Sequence, residues 1–337
     1  VNIYRKRFFG LSVIIGVAAG ILAFANTAHA LDLQGHRGAR GLMPENTLPA
    51  FAKALSIGVS TLELDLGVTI DNQVVVFHNN HLAPELVRGP DGKWLSSGGD
   101  AVHAMTLSDI KTFDVGRLNP DSKYAARYPN QMAIDGTRIP ILAEVFELVN
   151  KSGNTTVRFN IETKLNPHKP SVTPSPQDFV EAVLKVVNAY GMDTRTTIQS
   201  FDWRTLQEVQ RRAPKISTAY LTASQRWLDT IEAGKPGPSP WMATFDVDDF
   251  EGSIQQAIKA AGGTIWSPFH REVDRTAVEA AHKIGLKVKV WTVNKPARMI
   301  EMIDMGVDGI ITDFPDVLRK VMKDRDMTLP ISSPVTP

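Results

Sequence analysis

Leu31-Asp32-Leu33-Gln34-Gly35, Thr61-Leu62-Glu63-Leu64-Asp65-Leu66 and Val74-Val75-Val76-Phe77-His78 are three β-like runs, and a helix-like segment from Pro44 to Ser56 separates the first two. Asn46 or Thr47 can cap the start of that helix, and Gly58 stands just past its end. Strand, helix and strand in this order make a parallel βαβ unit, and Asp71-Asn72 supplies a hairpin turn into the third run. Strand side chains alternate, so Leu62, Leu64 and Leu66 share one face while Glu63 and Asp65 share the other. Two carboxylates that close repel each other unless one is protonated or a cation lies between them. His36 and His78 bracket the acidic pair, each at or near the end of an apolar run.

Outward from this unit the alternation breaks and then resumes. Residues 79–138 are rich in Gly, Pro, Asn and Asp, with one short helical piece near Ser108 to Asp114. Helices are expected at Ile141–Lys151, Asp178–Tyr190, Arg204–Arg212, Asp274–Ile284 and Pro296–Met305. Strands are expected at Val157–Glu162, Thr196–Ser200, Ile216–Leu221, Thr264–Ser267, Lys287–Thr292 and Asp308–Thr312, while Trp241 to Phe250 fits neither pattern. With the first two strands these make eight β/α alternations, which favour a closed parallel barrel over an open sheet. The open sheet is weakened further because no G-x-G-x-x-G follows the first strand and no Walker A motif occurs. In a barrel, chemistry gathers at the C-terminal strand ends. Those ends carry His36, Glu63, Asp65, Glu162-Thr163-Lys164, Gln199-Ser200-Phe201, Trp291-Thr292-Val293-Asn294 and Thr312-Asp313.

The N-terminus reads as a targeting signal over residues 1–30. Arg5-Lys6-Arg7 precedes an apolar run from Phe8 to Phe24, and Ala28-His29-Ala30 offers a small-residue cleavage site. An uncleaved anchor is the rival, since the run approaches spanning length. Cleavage near Ala30 implies an exported, periplasmic or secreted protein with no further stretch able to span a bilayer. It also removes three basic residues, so the net charge falls from +1 to −2, which offers no footprint for nucleic acid. The chain has no cysteine, which excludes disulfides, thiolate metal sites and a cysteine nucleophile.

The motifs His36-Arg37-Gly38, Pro44-Glu45-Asn46-Thr47, Glu63-Leu64-Asp65, His78, Glu162-Thr163-Lys164, Trp291-Thr292-Val293-Asn294 and Thr312-Asp313 together resemble the glycerophosphodiester phosphodiesterase family, in family order and across nearly all of residues 31–326. One departure is Asn79, where the family usually carries aspartate after the second histidine. The resemblance implies a TIM barrel with an insertion after the second strand, matching the irregular stretch 79–138, and leaves 327–337 as a C-terminal tail. It implies metal-dependent hydrolysis of a small glycerophosphodiester to sn-glycerol 3-phosphate and an alcohol such as choline or ethanolamine.

Glu63 and Asp65 are expected as metal ligands, because charges in a barrel lumen are costly without a cation, and Glu162 as the third. An all-oxygen set suits one divalent cation, Ca²⁺ or Mg²⁺, and not zinc. His36 and His78 are expected as the acid–base pair, with His36 as base and His78 as acid or the reverse. Arg37 and Lys164 are expected to grip the phosphate. Glu45 stands open between a helix-dipole partner and a substrate group, and Trp291 between barrel core and a wall for glycerol carbons. Water or the neighbouring glycerol hydroxyl can serve as nucleophile, the latter through a cyclic phosphate. His103, His168 and His282 read as surface residues, whereas His81 and His270 lie near loops that reach the mouth. A lysophospholipase D-like lipid hydrolase on the same barrel is the alternative activity. A non-catalytic phosphate-ester binder fits less well, since binding has no use for an acid–base pair.

Overall fold

The computed structural model describes residues 1–4 and 30–337; the expected signal segment from Arg5 to His29 lies outside the described residues. In chain order the strands are β1 (Asp32–Gly35), β2 (Thr61–Val68), β3 (Val74–Val76), β4 (Arg158–Thr163), β5 (Thr196–Ser200), β6 (Ser217–Thr222), β7 (Ser224–Gln225), β8 (Leu228–Asp229), β9 (Ile265–Pro268), β10 (Lys287–Val290) and β11 (Gly309–Thr312). The α-helices are α1 (Leu48–Ile57), α2 (Leu107–Ile110), α3 (Leu142–Lys151), α4 (Pro176–Ala189), α5 (Trp203–Arg212), α6 (Ile254–Ala260), α7 (Arg275–Lys283), α8 (Pro296–Met305) and α9 (Pro315–Asp324).

Eight of these strands run parallel in the order β1-β11-β10-β9-β6-β5-β4-β2, and β2 closes the ring on β1 through Gln34↔Thr61 and Gly35↔Leu62. The result is a TIM barrel, with β3 added antiparallel at the end of β2 through Leu66↔Val76. The period-two pattern of β2 decides which residues face the lumen. Leu62, Leu64 and Leu66 are fully buried in the core with Phe51, Leu55, Phe146 and Val149 of the helices, so Glu63 and Asp65 face inward. Each fully buried aliphatic chain is worth about 1.5–3 kcal/mol, which leaves β2 little freedom to slip its register and turn its acids outward.

Helix α1 begins at Leu48, four residues later than Pro44, with Thr47 accepting a hydrogen bond from the Ala50 backbone N–H and Pro49 at its start. Residues 36–46 are therefore loop, at the C-terminal mouth of β1. Arg37 (φ 50°) and Asn46 (φ 55°) take left-handed backbone conformations in it, a strain of order 1–3 kcal/mol each that surrounding contacts must offset. Gly35 permits the tight turn, since a Cβ there would lie 2.2 Å from the Gly38 carbonyl oxygen.

After β3 the chain leaves the barrel for residues 79–138, which hold α2, two short 3₁₀ turns and isolated antiparallel bridges such as His81↔Ala101 and Arg88↔Asp114. This segment has its own apolar cluster, in which Leu82, Val87, Val102 and Ile110 pack with Val75 and Phe77. The helix expected over Ser108–Asp114 is the four-residue α2, and Trp241 to Phe250 is built from two 3₁₀ turns. Residues 327–337 lie along the barrel: Ser333 N–H donates to Leu55 O (2.9 Å) and Asn154 Nδ2 donates to Ser333 Oγ (2.8 Å). No helix among the described residues is long and apolar enough to cross a membrane.

Candidate active site

A cavity of about 730 Å³ opens at the C-terminal mouth of the barrel, with His36, Arg37, Glu63, His78, Glu162, Lys164 and Trp291 among its lining residues. Its floor is acidic. Glu63 and Asp65 come from β2 and Glu162 from β4, where Asp65 and Glu162 are register partners. One carboxylate oxygen from each lies within 4.8 Å of the others, and all three residues are buried. Gln199 Nε2 donates to Glu63 Oε1 (2.7 Å), the Arg37 backbone N–H to Glu63 Oε2 (2.8 Å) and Asn46 Nδ2 to Asp65 Oδ2 (2.9 Å). Asp65 Oδ1 is buried and accepts no hydrogen bond.

These acids are not equivalent. Burial, and then the charge of Asp65, pushes the Glu63 carboxyl well above the usual carboxylate range. Burial likewise raises Glu162 to about 7, against the pull of Lys164. Burial also pushes Asp65 upward, but Arg37, His78 and Lys164 outweigh it and hold that carboxyl low. Three clustered carboxylates, two of them resisting ionisation and one with an orphaned oxygen, fit a hard divalent cation.

The histidines flank this floor, and each is held through Nδ1. His36 Nδ1 donates to Asp313 Oδ1 (2.7 Å), which leaves Nε2 unprotonated and 3.9 Å from Glu63 Oε2. Burial, followed by Arg40, lowers His36 to about 4. The hairpin delivers His78, because the Phe77 N–H donates to Asp65 O (2.9 Å) and sets the next residue beside the acids. His78 Nδ1 donates to Asn79 Oδ1 (2.6 Å), and its Nε2 accepts from Lys164 Nζ (3.1 Å). Burial, then Arg37 and Lys164, takes His78 well below the usual imidazole range. Asn79 therefore still orients the ring but brings no charge to offset them.

Arg37 donates from Nη1 to Glu45 Oε1 (2.5 Å), while its Nε sits 3.1 Å from Asp65 Oδ2 without the alignment of a hydrogen bond. Its Nη2 makes no hydrogen bond among the described residues. Glu45 lies in the loop ahead of α1, so it serves Arg37 and not the helix dipole. Lys164 Nζ donates to Glu162 Oε1 (2.7 Å) as well as to His78. Trp291 stands at the rim, its Nε1 donating to Ser267 O (2.9 Å).

Comparison with known proteins bears on this arrangement. The model of the glycerophosphoryl diester phosphodiesterase family matches residues 36–317. The chain belongs to that family. Membership makes it a phosphoric diester hydrolase. A glycerophosphodiester phosphodiesterase of Caldanaerobacter subterraneus is 29% identical over 86% of this chain and 96% of its own. The crystal structure of a putative family member from Silicibacter pomeroyi is 36% identical, with a TM-score of 0.78 over 89% of this chain and 95% of that one. A phosphodiesterase of Oleispira antarctica, solved with the product sn-glycerol-3-phosphate, shares the fold at 21% identity, with a TM-score of 0.63 over 87% of this chain and 97% of that one.

Several site residues were not singled out from sequence. Asp313 stands in the sequence as a strand end and as part of the Thr312-Asp313 motif with no role attached, yet it is a hub. Beyond His36 it pairs with Arg40 in two hydrogen bonds (2.8 and 3.0 Å) and accepts from Tyr128 Oη (3.1 Å) and Asn294 Nδ2 (2.6 Å). Arg40, Tyr124 and Tyr128 carried no motif; Tyr124 Oη donates to Glu45 from within residues 79–138. Of the two histidines placed near the mouth, His81 lines the cavity, whereas His270 Nδ1 accepts from Arg298 Nε (3.1 Å). His168 and His282 are exposed, but His103 is half-buried with Nδ1 against Val68 O (3.0 Å).

Proposed function

We propose that the chain hydrolyses glycerophosphodiesters to sn-glycerol 3-phosphate and a free alcohol, with His36 and His78 moving the protons and Glu63, Asp65 and Glu162 holding one divalent cation, Ca²⁺ or Mg²⁺. The observation that carries this reading is the position of the two imidazole Nε2 atoms. One lies against Glu63 and the other is linked through Lys164 to Glu162. Family membership and the product bound by the Oleispira relative support the substrate class.

When bound, the cation polarises the phosphoryl oxygens and offsets the charge that builds on them during attack. Arg37 Nη2 and Lys164 add donors to the same phosphate. Asp313 keeps the proton of His36 on Nδ1, so Nε2 takes the proton of the attacking hydroxyl as the new P–O bond forms. The substrate's negative charge counters Arg37 and Lys164, the cations that depress His78, so that His78 binds a proton at Nε2. It delivers that proton to the alcohol oxygen as the old P–O bond breaks. The attacking hydroxyl belongs to water or to the neighbouring glycerol carbon; in the second case water then opens a cyclic phosphate. The N-terminal basic and apolar pattern supports export, which would place this chemistry outside the cytoplasm.

A product assay on purified protein tests the reading, using glycerophosphocholine and lysophosphatidylcholine, each with and without chelator. Glycerophosphocholine should yield sn-glycerol 3-phosphate and choline only when a divalent cation is present. Full activity in excess chelator after long dialysis would sink the cation assignment. Turnover of lysophosphatidylcholine alone would sink the substrate class in favour of a lipid hydrolase.

A further inference from the structure

One side of the cavity is aromatic, and the proton-transfer chemistry does not use it. Phe201 follows β5, Trp241 lies in the 3₁₀ turn Pro240–Met242, Trp291 follows β10, and Trp227 sits at the tip of the β7–β8 hairpin; all four line the cavity. The rings form a continuous run with centroid separations of 6.3 Å (Trp241–Phe201), 5.4 Å (Phe201–Trp291) and 6.2 Å (Trp291–Trp227). Successive planes stand at 75°, 87° and 83°, so the run turns corners and does not lie flat.

The positions are built. The hairpin is clamped by Glu272, which accepts from Ser224 N–H (2.9 Å) and Gln225 Nε2 (2.6 Å). Trp227 packs edge-on to Phe269 at 5.5 Å although it is 60% exposed. Three of the six tryptophans of the chain converge here, and indole is the ring that holds cations best. An ammonium already uses the run, since Lys164 Nζ stands 5.9 Å from the Phe201 centroid.

We propose that this wall is a subsite for a quaternary trimethylammonium group on the leaving alcohol, formed by Trp227, Trp241 and Trp291, with Phe201 joining it to the phosphate end. The proposal rests on the phosphodiesterase reading and adds a selectivity to it. A trimethylammonium group has no N–H donors and is weakly hydrated, so aromatic faces can replace its water. A primary ammonium has three donors and needs acceptors. Among the cavity's acidic residues, Glu63 and Glu162 belong to the floor and Glu85 to the segment 79–138; the aromatic segments contribute none.

The test separates charge from shape and binding from chemistry. Choline, ethanolamine and 3,3-dimethylbutanol, the uncharged carbon isostere of choline, are compared as competitive inhibitors of glycerophosphodiester hydrolysis. Choline should bind at least about tenfold more tightly than either of the others. Trp227→Leu, at an exposed ring, and Trp241→Leu should each cut that advantage by about threefold or more. Equal inhibition by choline and its isostere would overturn the subsite, as would an advantage unchanged in both variants, while leaving the hydrolase reading intact. Failure of the wild-type protein to release sn-glycerol 3-phosphate from any glycerophosphodiester would overturn both.

Discussion

The barrel buries acidic groups at both ends and treats them in opposite ways. At the N-terminal end, Asp32 accepts from Thr61 Oγ1 (2.6 Å), Lys289 Nζ (2.7 Å), Arg158 Nη2 (2.9 Å) and Gln34 Nε2 (2.9 Å). Burial pushes its carboxyl up, but Lys289 and Arg158 outweigh burial and hold it well below the carboxylate range. At the C-terminal mouth, three acids crowd together, Asp65 Oδ1 accepts nothing, and Glu63 and Glu162 are pushed up. A satisfied buried carboxylate serves the fold. An unsatisfied cluster is held in place by the fold for something else to complete.

The sharpest way to break that contrast is to neutralise one acid at each end. Glu63→Gln should lower turnover by at least about 10³-fold, through loss of cation binding and phosphate polarisation. Its metal-free melting temperature should stay level or fall slightly, because the Glu63 carboxyl already resists ionisation and glutamine offers one acceptor oxygen to the two N–H donors that Glu63 accepts from. Asp32→Ala should do the reverse: it strands Lys289 and costs about 3–5 kcal/mol in denaturant unfolding, while kcat per folded molecule is retained. If Glu63→Gln keeps a tenth of wild-type turnover, or Asp32→Ala melts normally, the two ends do not differ as described.

A smaller effect separates proton transfer from cation binding. His36→Ala and His78→Ala should each lose at least about 10²-fold in kcat while the cation affinity, read by calorimetry, persists. Loss of the cation with either histidine would merge the two proposed roles.

The pH dependence of cation binding is smaller again. Glu162, raised to about 7 without metal, carries a proton below that value, and the proton must leave before the cation can bind. Affinity should therefore fall as pH falls below 7, by up to about tenfold per unit for each proton displaced. Calorimetry between pH 7 and 5 reads this directly, and a flat profile would contradict the raised carboxyl.

The smallest expected change comes from the segment 79–138. Tyr124→Phe removes the hydrogen bond to Glu45, which holds Arg37, and the one accepted from Arg40 Nη1 (3.1 Å), and should cost about 1–2 kcal/mol in all, read as a rise in KM of up to about tenfold with kcat little altered. A loss beyond about 10²-fold would mean that this segment takes part in the chemistry itself.

Much of the floor was legible because its cause is local. The alternation of Leu62, Glu63, Leu64, Asp65 and Leu66 decides which face each residue takes, whatever surrounds it. His78 was legible for a related reason, since a hairpin of short reach returns the chain to the end of the strand it left. Glu45 was not, because a carboxylate near a helix start serves the dipole or a side chain equally well until the helix is seen to begin at Leu48. Nor was Tyr124, which lies in a stretch with no period to read and meets Glu45 across 79 residues of chain.

The sequence by itself determined the eight-fold β/α alternation, the inward face of β2 and the residue types at the mouth, two histidines beside three carboxylates. These follow from backbone periodicity and short-range sterics, which act within a few residues. Only the tertiary structure decided who holds whom. Asp313 reaches His36 across 277 residues because barrel closure lays β11 beside β1. The aromatic run joins rings from segments far apart in the chain because the strand ends that carry them share one mouth. Contacts of that range depend on the closed ring, and no local pattern in the chain encodes which strand ends will meet.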